Sequence, residues 1–115
     1  MRQVRTQTRA RADIRALLNA SRRRFGVRAR QDYEALLDRA LALLCESPDR
    51  AGVQRRESLP RAPFAFHLRH ARQRGSTPKT PRHVVIFAYD DTTLYVLRVL
   101  HDAMDIATQL SPEEE

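Results

Sequence analysis

The sequence predicts an α+β domain: an N-terminal antiparallel two-helix hairpin packed on a small antiparallel β-sheet of three or four strands. Apolar residues recur at spacings of three and four up to Leu44, and beyond Pro63 they alternate with period two. The chain has 115 residues, which suits one domain over residues 1–115 with one modest core.

In the first helical segment, Thr8 to Phe25, the residues Ala10, Ile14, Leu17, Leu18, Ser21 and Phe25 fall on one stripe with arginines opposite. Thr8 is the expected N-cap, and Gly26 supplies the permissive backbone that ends the helix. A second segment follows at once, with Ala29, Tyr33, Leu36, Leu37, Ala40, Leu41 and Leu44 on a broad face, and so short a link forces a hairpin. Pro48 ends it. Residues 49–62 read as an irregular connector. Three strands are then expected: Phe64 to His70, His83 to Tyr89 and Thr93 to Leu100, with a Gly/Pro-containing linker from Ala71 to Arg82 and a tight reversal at Asp90-Asp91. Asp102 to Leu110 suits a last helical turn or two before an acidic, frayed end.

Strict alternation sorts the strand residues onto two faces. One carries Phe64, Phe66, Leu68, Val85, Phe87, Leu94, Val96, Arg98 and Leu100, and is the bulkier candidate to face the hairpin. The other carries His67, Arg69, Val84, Ile86, Leu97, Val99 and His101. With helices for only one face, Val84, Ile86, Leu97 and Val99 are expected to form an exposed apolar patch for a partner. The alternative is that the segment around Met104 and Ile106 folds back over it.

Charge points to an anionic partner, either nucleic acid or an acidic protein segment. The net charge is +7, with 20 arginines and one lysine against 14 acids. It is blocked along the chain, +9 over residues 1–30 and +6 over 61–82, with acidic excess in between and after. The longest apolar runs, Ala40 to Cys45 and Val84 to Tyr89, are too short to span a bilayer, so no membrane association is expected. The N-terminus lacks a secretory h-region and Cys45 is alone, which suits a reducing cytoplasm.

Chemistry-bearing motifs are sparse. His67-x-x-His70 on a strand points to opposite faces and does not make a metal site. No Walker loop, HExxH or GxGxxG is present, so no cofactor is expected. His67, Arg69, Arg82 and His101 can meet on the free face, where bases and imidazoles suit metal-free RNA cleavage as well as docking of acidic side chains. Arg98 is expected beside His83, paired with a helix carboxylate.

The string Arg98-Val99-Leu100-His101-x-x-Met104-Asp105, followed by Leu110, resembles the C-terminal signature of the ParE toxins of the RelE/ParE superfamily. Ala10-x-Ala12-Asp13-Ile14 with Leu17 looks like that family's first-helix motif, and Phe25-Gly26-x-x-Ala29 with Tyr33 like its hairpin turn. Phe66 to His70 with Pro81-Arg82-His83 looks like its entry to the sheet, so the resemblance spans residues 8–110. It implies a toxin of a type II toxin–antitoxin module, neutralised by a cognate ParD-like antitoxin, poisoning DNA gyrase and meeting DNA only through the antitoxin. It also implies a strand ahead of the first helix, written weakly here as Arg2 to Thr6.

ParE toxins are not regarded as enzymes, whereas their RelE cousins cut ribosome-bound messenger RNA with Lys, Arg and a C-terminal Tyr. This chain has only Lys79, and neither Arg nor Tyr after Leu100. No catalytic residue is therefore assigned. RelE-type cleavage by His67, Arg69, Arg82 and His101 is the alternative, and a nonspecific nucleic-acid-binding module is a third reading. Antitoxin contact is expected at Arg69, Val84, Ile86, Leu97 and Val99, with Arg15 and Arg22 of the hairpin. Target contact is expected at His101, Met104 and Asp105.

Overall fold

Five strands form one sheet in the order β1-β5-β4-β3-β2 in the computed structural model, which describes residues 1–104 and 106–109. The strands are β1 (Gln3–Thr6), β2 (Val53–Arg55), β3 (Phe64–His67), β4 (His83–Tyr89) and β5 (Thr93–His101). The helices are α1 (Thr8–Phe25), α2 (Val27–Glu46) and a short α3 (Ile106–Gln109). Strands β2 to β5 run as an antiparallel meander, and β1 lies parallel to β5, with Gln3 opposite Thr93 and Thr6 opposite Val96. The sheet is therefore mixed, and the N-terminal strand that the family resemblance implied is present.

Gly26 alone separates α1 from α2, at φ 98° and ψ 177°, a region closed to residues with a Cβ. Its N–H bonds Arg22 O and its carbonyl accepts from Arg30 N, so one residue closes the first helix and opens the second. Thr8 is the first helical residue rather than the cap. Gln7 holds the cap position with no side-chain bond, because the chain enters directly from β1 and Gln7 N–H donates to Val96 O of β5.

The hairpin packs on one sheet face through Ala10, Leu17, Leu36, Leu37, Ala40 and Leu44, against Phe66, Val85, Phe87, Leu94 and Val96. Cys45 is a small buried member of this core. Phe25, expected at the end of the α1 stripe, is instead 74% exposed, since the helix stops there and no described residue covers it.

Three sequence expectations are corrected. The connector holds β2, three residues paired to β3 as Val53–Phe66 and Arg55–Phe64. β3 stops at His67, where its Nδ1 accepts the Arg69 N–H at 3.0 Å and turns Leu68–Ala71 into a 3-10 turn, so Arg69 and His70 are not strand residues. The alternation of β5 breaks at a bulge. Phe87 faces Val96 but Ile86 faces Arg98, leaving Leu97 as the extra residue. Beyond it every side chain changes face: Val99 joins the helix-side core at 3% exposure, Leu100 joins the opposite face, and His101 rather than Arg98 stands opposite His83.

That opposite face is covered. Val84, Ile86, Ala65 and Leu100 are buried there with Leu59 of the connector, and Leu97 and Ile106 pack against them. The exposed apolar patch expected at Val84, Ile86, Leu97 and Val99 is thus absent: Val99 is on the other side, and the connector and α3 close over the rest.

Past the end of β1, the outer edge of β5 meets α1. Asp13 accepts the Val99 N–H at 3.0 Å and grips Arg98 through Nε (2.8 Å) and Nη2 (3.0 Å), the helix carboxylate expected for Arg98. Arg98 is 8% exposed and also donates to Gln109 O at 3.1 Å, so removing the Asp13 carboxylate takes a counter-charge from a buried guanidinium. Asp13→Ala is expected to cost about 3 kcal/mol in urea unfolding, and adding Arg98→Met is expected to restore much of it. Equal stability of Asp13→Ala and the parent would refute this role.

Candidate interaction surface

The bulge places His83, at the start of β4, and His101, at the end of β5, side by side with rings 5.3 Å apart, edge to face. Tyr33 of α2 reaches up from the hairpin. Its hydroxyl shares a 2.6 Å hydrogen bond with His83 Nδ1 and accepts the Arg82 N–H at 3.1 Å. Burial pushes the Tyr33 phenol up and pushes His83 down to about 4, helped by the neighbouring His101.

Asp102, just past β5, gathers the surrounding polar groups. Its carboxylate accepts from Arg82 Nε and Nη2 at 3.0 and 2.9 Å, and from His67 Nε2 at 2.9 Å. Its N–H donates to Arg82 O at 2.8 Å. Hydrogen bonds from Arg82 and then from His67 hold this carboxyl well below the usual carboxylate range, and in return Arg82 is raised. The expected meeting of His67, Arg69, Arg82 and His101 on the free face is corrected: His67 and Arg82 meet on Asp102, the bulge turns His101 to the helix side against His83 with its Nδ1 3.6 Å from Asp102, and Arg69 sits apart on the exposed 3-10 turn.

This convergence is a clamp tying β3, β4 and β5 together at one end. Both ring nitrogens of His67 are engaged, Arg82 spends two donors on Asp102, and His101 Nδ1 accepts the Ala103 N–H at 3.1 Å. Only the outer side of the half-exposed His101 and the remaining Arg82 donors face outward. His70 goes elsewhere, against Phe66 and the α-carbon of Gly52. Among the described residues, no group of three or more His, Cys, Asp or Glu is arranged to hold a metal ion.

Beside the clamp a cleft of about 840 Å³ opens between the hairpin and the segment leading into β4. Leu17, Ala20 and Phe25 of α1 and Ala29 of α2 give it apolar walls, and Arg24, Arg28 and Arg82 stand at its rim. The segment across it is held in place: the Arg72 guanidinium donates to Ser76 O and Pro78 O, both at 2.7 Å, and the Thr77 hydroxyl donates to Asp32 at 2.6 Å. The Thr77 bond is the main reason Asp32 titrates below its ordinary value.

Of the expected contact residues, Arg15, Arg22 and Arg69 are exposed, Met104 is 48% exposed and His101 is half-exposed. Val84 and Ile86 are buried, Leu97 is half-buried, and Asp105 lies outside the described residues. Sequence reasoning missed Asp102, Tyr33 and His83 as partners in the clamp. A carboxylate directly after a strand that ends in His, one strand away from Arg82-His83, was the available signal for Asp102 and His83.

His83 has a folded pKa below its unfolded value of 6.5, so its contribution is complete above that value and is lost as pH falls through 6.5 toward 4. Asp102, also depressed, acts in the same direction at lower pH. Stability in denaturant titrations is expected to drop by about 1–2 kcal/mol between pH 7 and 4.5, with half-exposure of the ring limiting the size. His83→Gln is expected to flatten this slope, and an unchanged slope would remove His83 as its source.

No helix among the described residues is long and apolar enough to cross a membrane. A search of curated proteins finds no match to the chain. The family model described as "ParE toxin of type II toxin-antitoxin system, parDE" matches residues 4–106, from β1 to the start of α3. The helix pair, the histidine-bearing end of β5 and all but the first residue of the N-terminal strand fall within that match, and the chain belongs to the ParE toxin family of type II toxin–antitoxin systems.

Proposed function

We propose that the chain is held inactive by a cognate ParD-like antitoxin and, when released, poisons DNA gyrase through protein contacts without itself catalysing a reaction. The observation that carries this reading is the family match over residues 4–106, since a toxin of this family implies an antitoxin partner. The clamp adds support, because its cation and imidazoles are committed to Asp102 and to backbone groups rather than to a vacant reaction site.

Antitoxin contact is assigned to the exposed Arg15, Arg22 and Arg69, where an acidic tail finds unobstructed guanidinium groups. Val84, Ile86 and Leu97 become contacts only if the antitoxin displaces Leu59 and Ile106, and Val99 leaves the set. Target contact is assigned to His101, Met104 and Asp105.

A gyrase supercoiling assay with the purified chain tests this. Inhibition is expected, and so is its relief by the product of the neighbouring open reading frame. Met104→Ala is expected to weaken inhibition by about tenfold without altering antitoxin affinity, whereas Arg15→Glu with Arg22→Glu is expected to weaken antitoxin binding by a similar factor. Absence of inhibition would remove gyrase as the target. Cleavage of ribosome-bound messenger RNA, abolished by His101→Ala, would instead establish the nuclease alternative, which the meeting of His67, Arg82 and His101 keeps concrete.

A further inference from the structure

We infer that the cleft at the hairpin tip is a docking site for an acidic polypeptide segment that inserts an aromatic or leucine side chain between α1 and the Thr77–Pro78 segment. Three observations converge on it. Phe25 and Val27, on either side of Gly26, are 74% and 54% exposed, so two of the large apolar side chains that folding leaves in water lie at one tip. The cleft beside them, about 840 Å³, has Leu17, Ala20, Phe25 and Ala29 for walls, which suits an apolar anchor. The surrounding charge is positive: Arg22, Arg23 and Arg24 fill the last turn of α1, and Arg28 opens α2.

Charge complementarity selects the occupant. Among the described residues Asp32 is the single acidic side chain lining the cleft, and it already accepts from Thr77 and from Arg28 at 3.3 Å. Arg82 gives two of its donors to Asp102 and Arg28 pairs with Asp32, so the rim cation with its whole guanidinium open to a ligand is Arg24, backed by Arg22 and Arg23. A nucleic-acid strand would be held chiefly by phosphate contacts on a polar, wet surface. A largely apolar cleft ringed by guanidinium groups instead fits a segment with one or two buried anchors and carboxylates around them, the pattern of a hot spot within a charged rim. The Thr77–Asp32 and Arg72–Pro78 bonds hold the far wall in place, so binding needs little ordering of the toxin.

The inference rests on the reading of Arg22 as a contact for an acidic antitoxin tail and extends it to the cleft, and its test uses the isolated chain, so that its failure and that of the supercoiling assay are told apart. The probe is a fluorescein-labelled 15-residue peptide rich in Glu with Leu and Phe four residues apart, followed by polarisation. The control peptide carries Ser at both anchor positions. The anchored peptide is expected to bind at least about tenfold more tightly than the control, and Phe25→Ser and Arg24→Glu are each expected to weaken it by about tenfold. Both substitutions lie on exposed positions, and matching thermal melts establish that the fold is kept. Equal affinity for the two peptides, indifference to either variant, or no binding at all would overturn the proposal. So would displacement of the peptide by poly(U), which would make nucleic acid the occupant, or a dimer in solution that Phe25→Ser dissociates, which would make it a second copy of the chain.

Discussion

The bulge in β5 is the constraint on which the rest of the molecule depends. A strand that alternated strictly from Thr93 to His101 would put Arg98 under the helices and Val99 on the opposite face. One extra residue at Leu97 reverses both placements. Val99 then completes the helix-side core, Leu100 meets Ile86 and Val84, and Arg98 is available to Asp13 where β1 has run out. The same carboxylate takes the Val99 N–H, so the edge that α1 leaves beside the bulge is satisfied by a side chain in place of a strand.

The reversal also sets the chemistry of the sheet's end. His101 comes opposite His83, and the chain leaves β5 with Asp102 aimed at Arg82 and His67. A carboxylate that accepts from a guanidinium and an imidazole at once gains several charge-assisted hydrogen bonds, and these fix three strands relative to one another. The arrangement adds rigidity. His67 has both ring nitrogens engaged and His101 uses Nδ1 for the Ala103 N–H, so much of the hydrogen-bonding capacity of the two imidazoles is spent within the fold.

Legibility in the sequence followed the strength of the periodic signal. The hairpin, its Gly26 hinge and the β4–β5 turn were readable because each rests on local chemistry: 3.6-residue apolar spacing, a Cβ-free φ, and an Asp90 carboxylate that caps the Thr92 and Thr93 N–H groups. β2 was not, because Val53-Gln54-Arg55 carries one apolar residue and becomes a strand only by pairing with β3 and laying Arg55 over the Phe64 ring. The bulge left a trace that strict alternation overrode, since it required a charged Arg98 on the core face of a strand otherwise apolar there. A phase break between Val96 and Val99 removes that conflict and restores apolar residues to both sides. The site suffered from the same error, because one misplaced phase moved Val99, Leu100 and His101 together.

Covering of the second sheet face changes how a partner can engage this toxin. Had Val84, Ile86 and Leu97 been open, binding there would have required only desolvation. With Leu59 and Ile106 packed on them, a partner must first separate those side chains from Ile86 and Leu100, and the contacts it makes are offset by those it breaks. The connector reaches the face through a long excursion between β2 and β3, and α3 is a single turn, so neither cover belongs to the main ladder of the sheet. Among the described residues nothing covers the hairpin tip in this way: Phe25, Val27 and the arginines around Gly26 are exposed. For the acidic segment proposed above, first encounter would favour the tip, where electrostatic attraction acts at a distance and little native contact opposes it, and engagement of the sheet face would follow as the slower step.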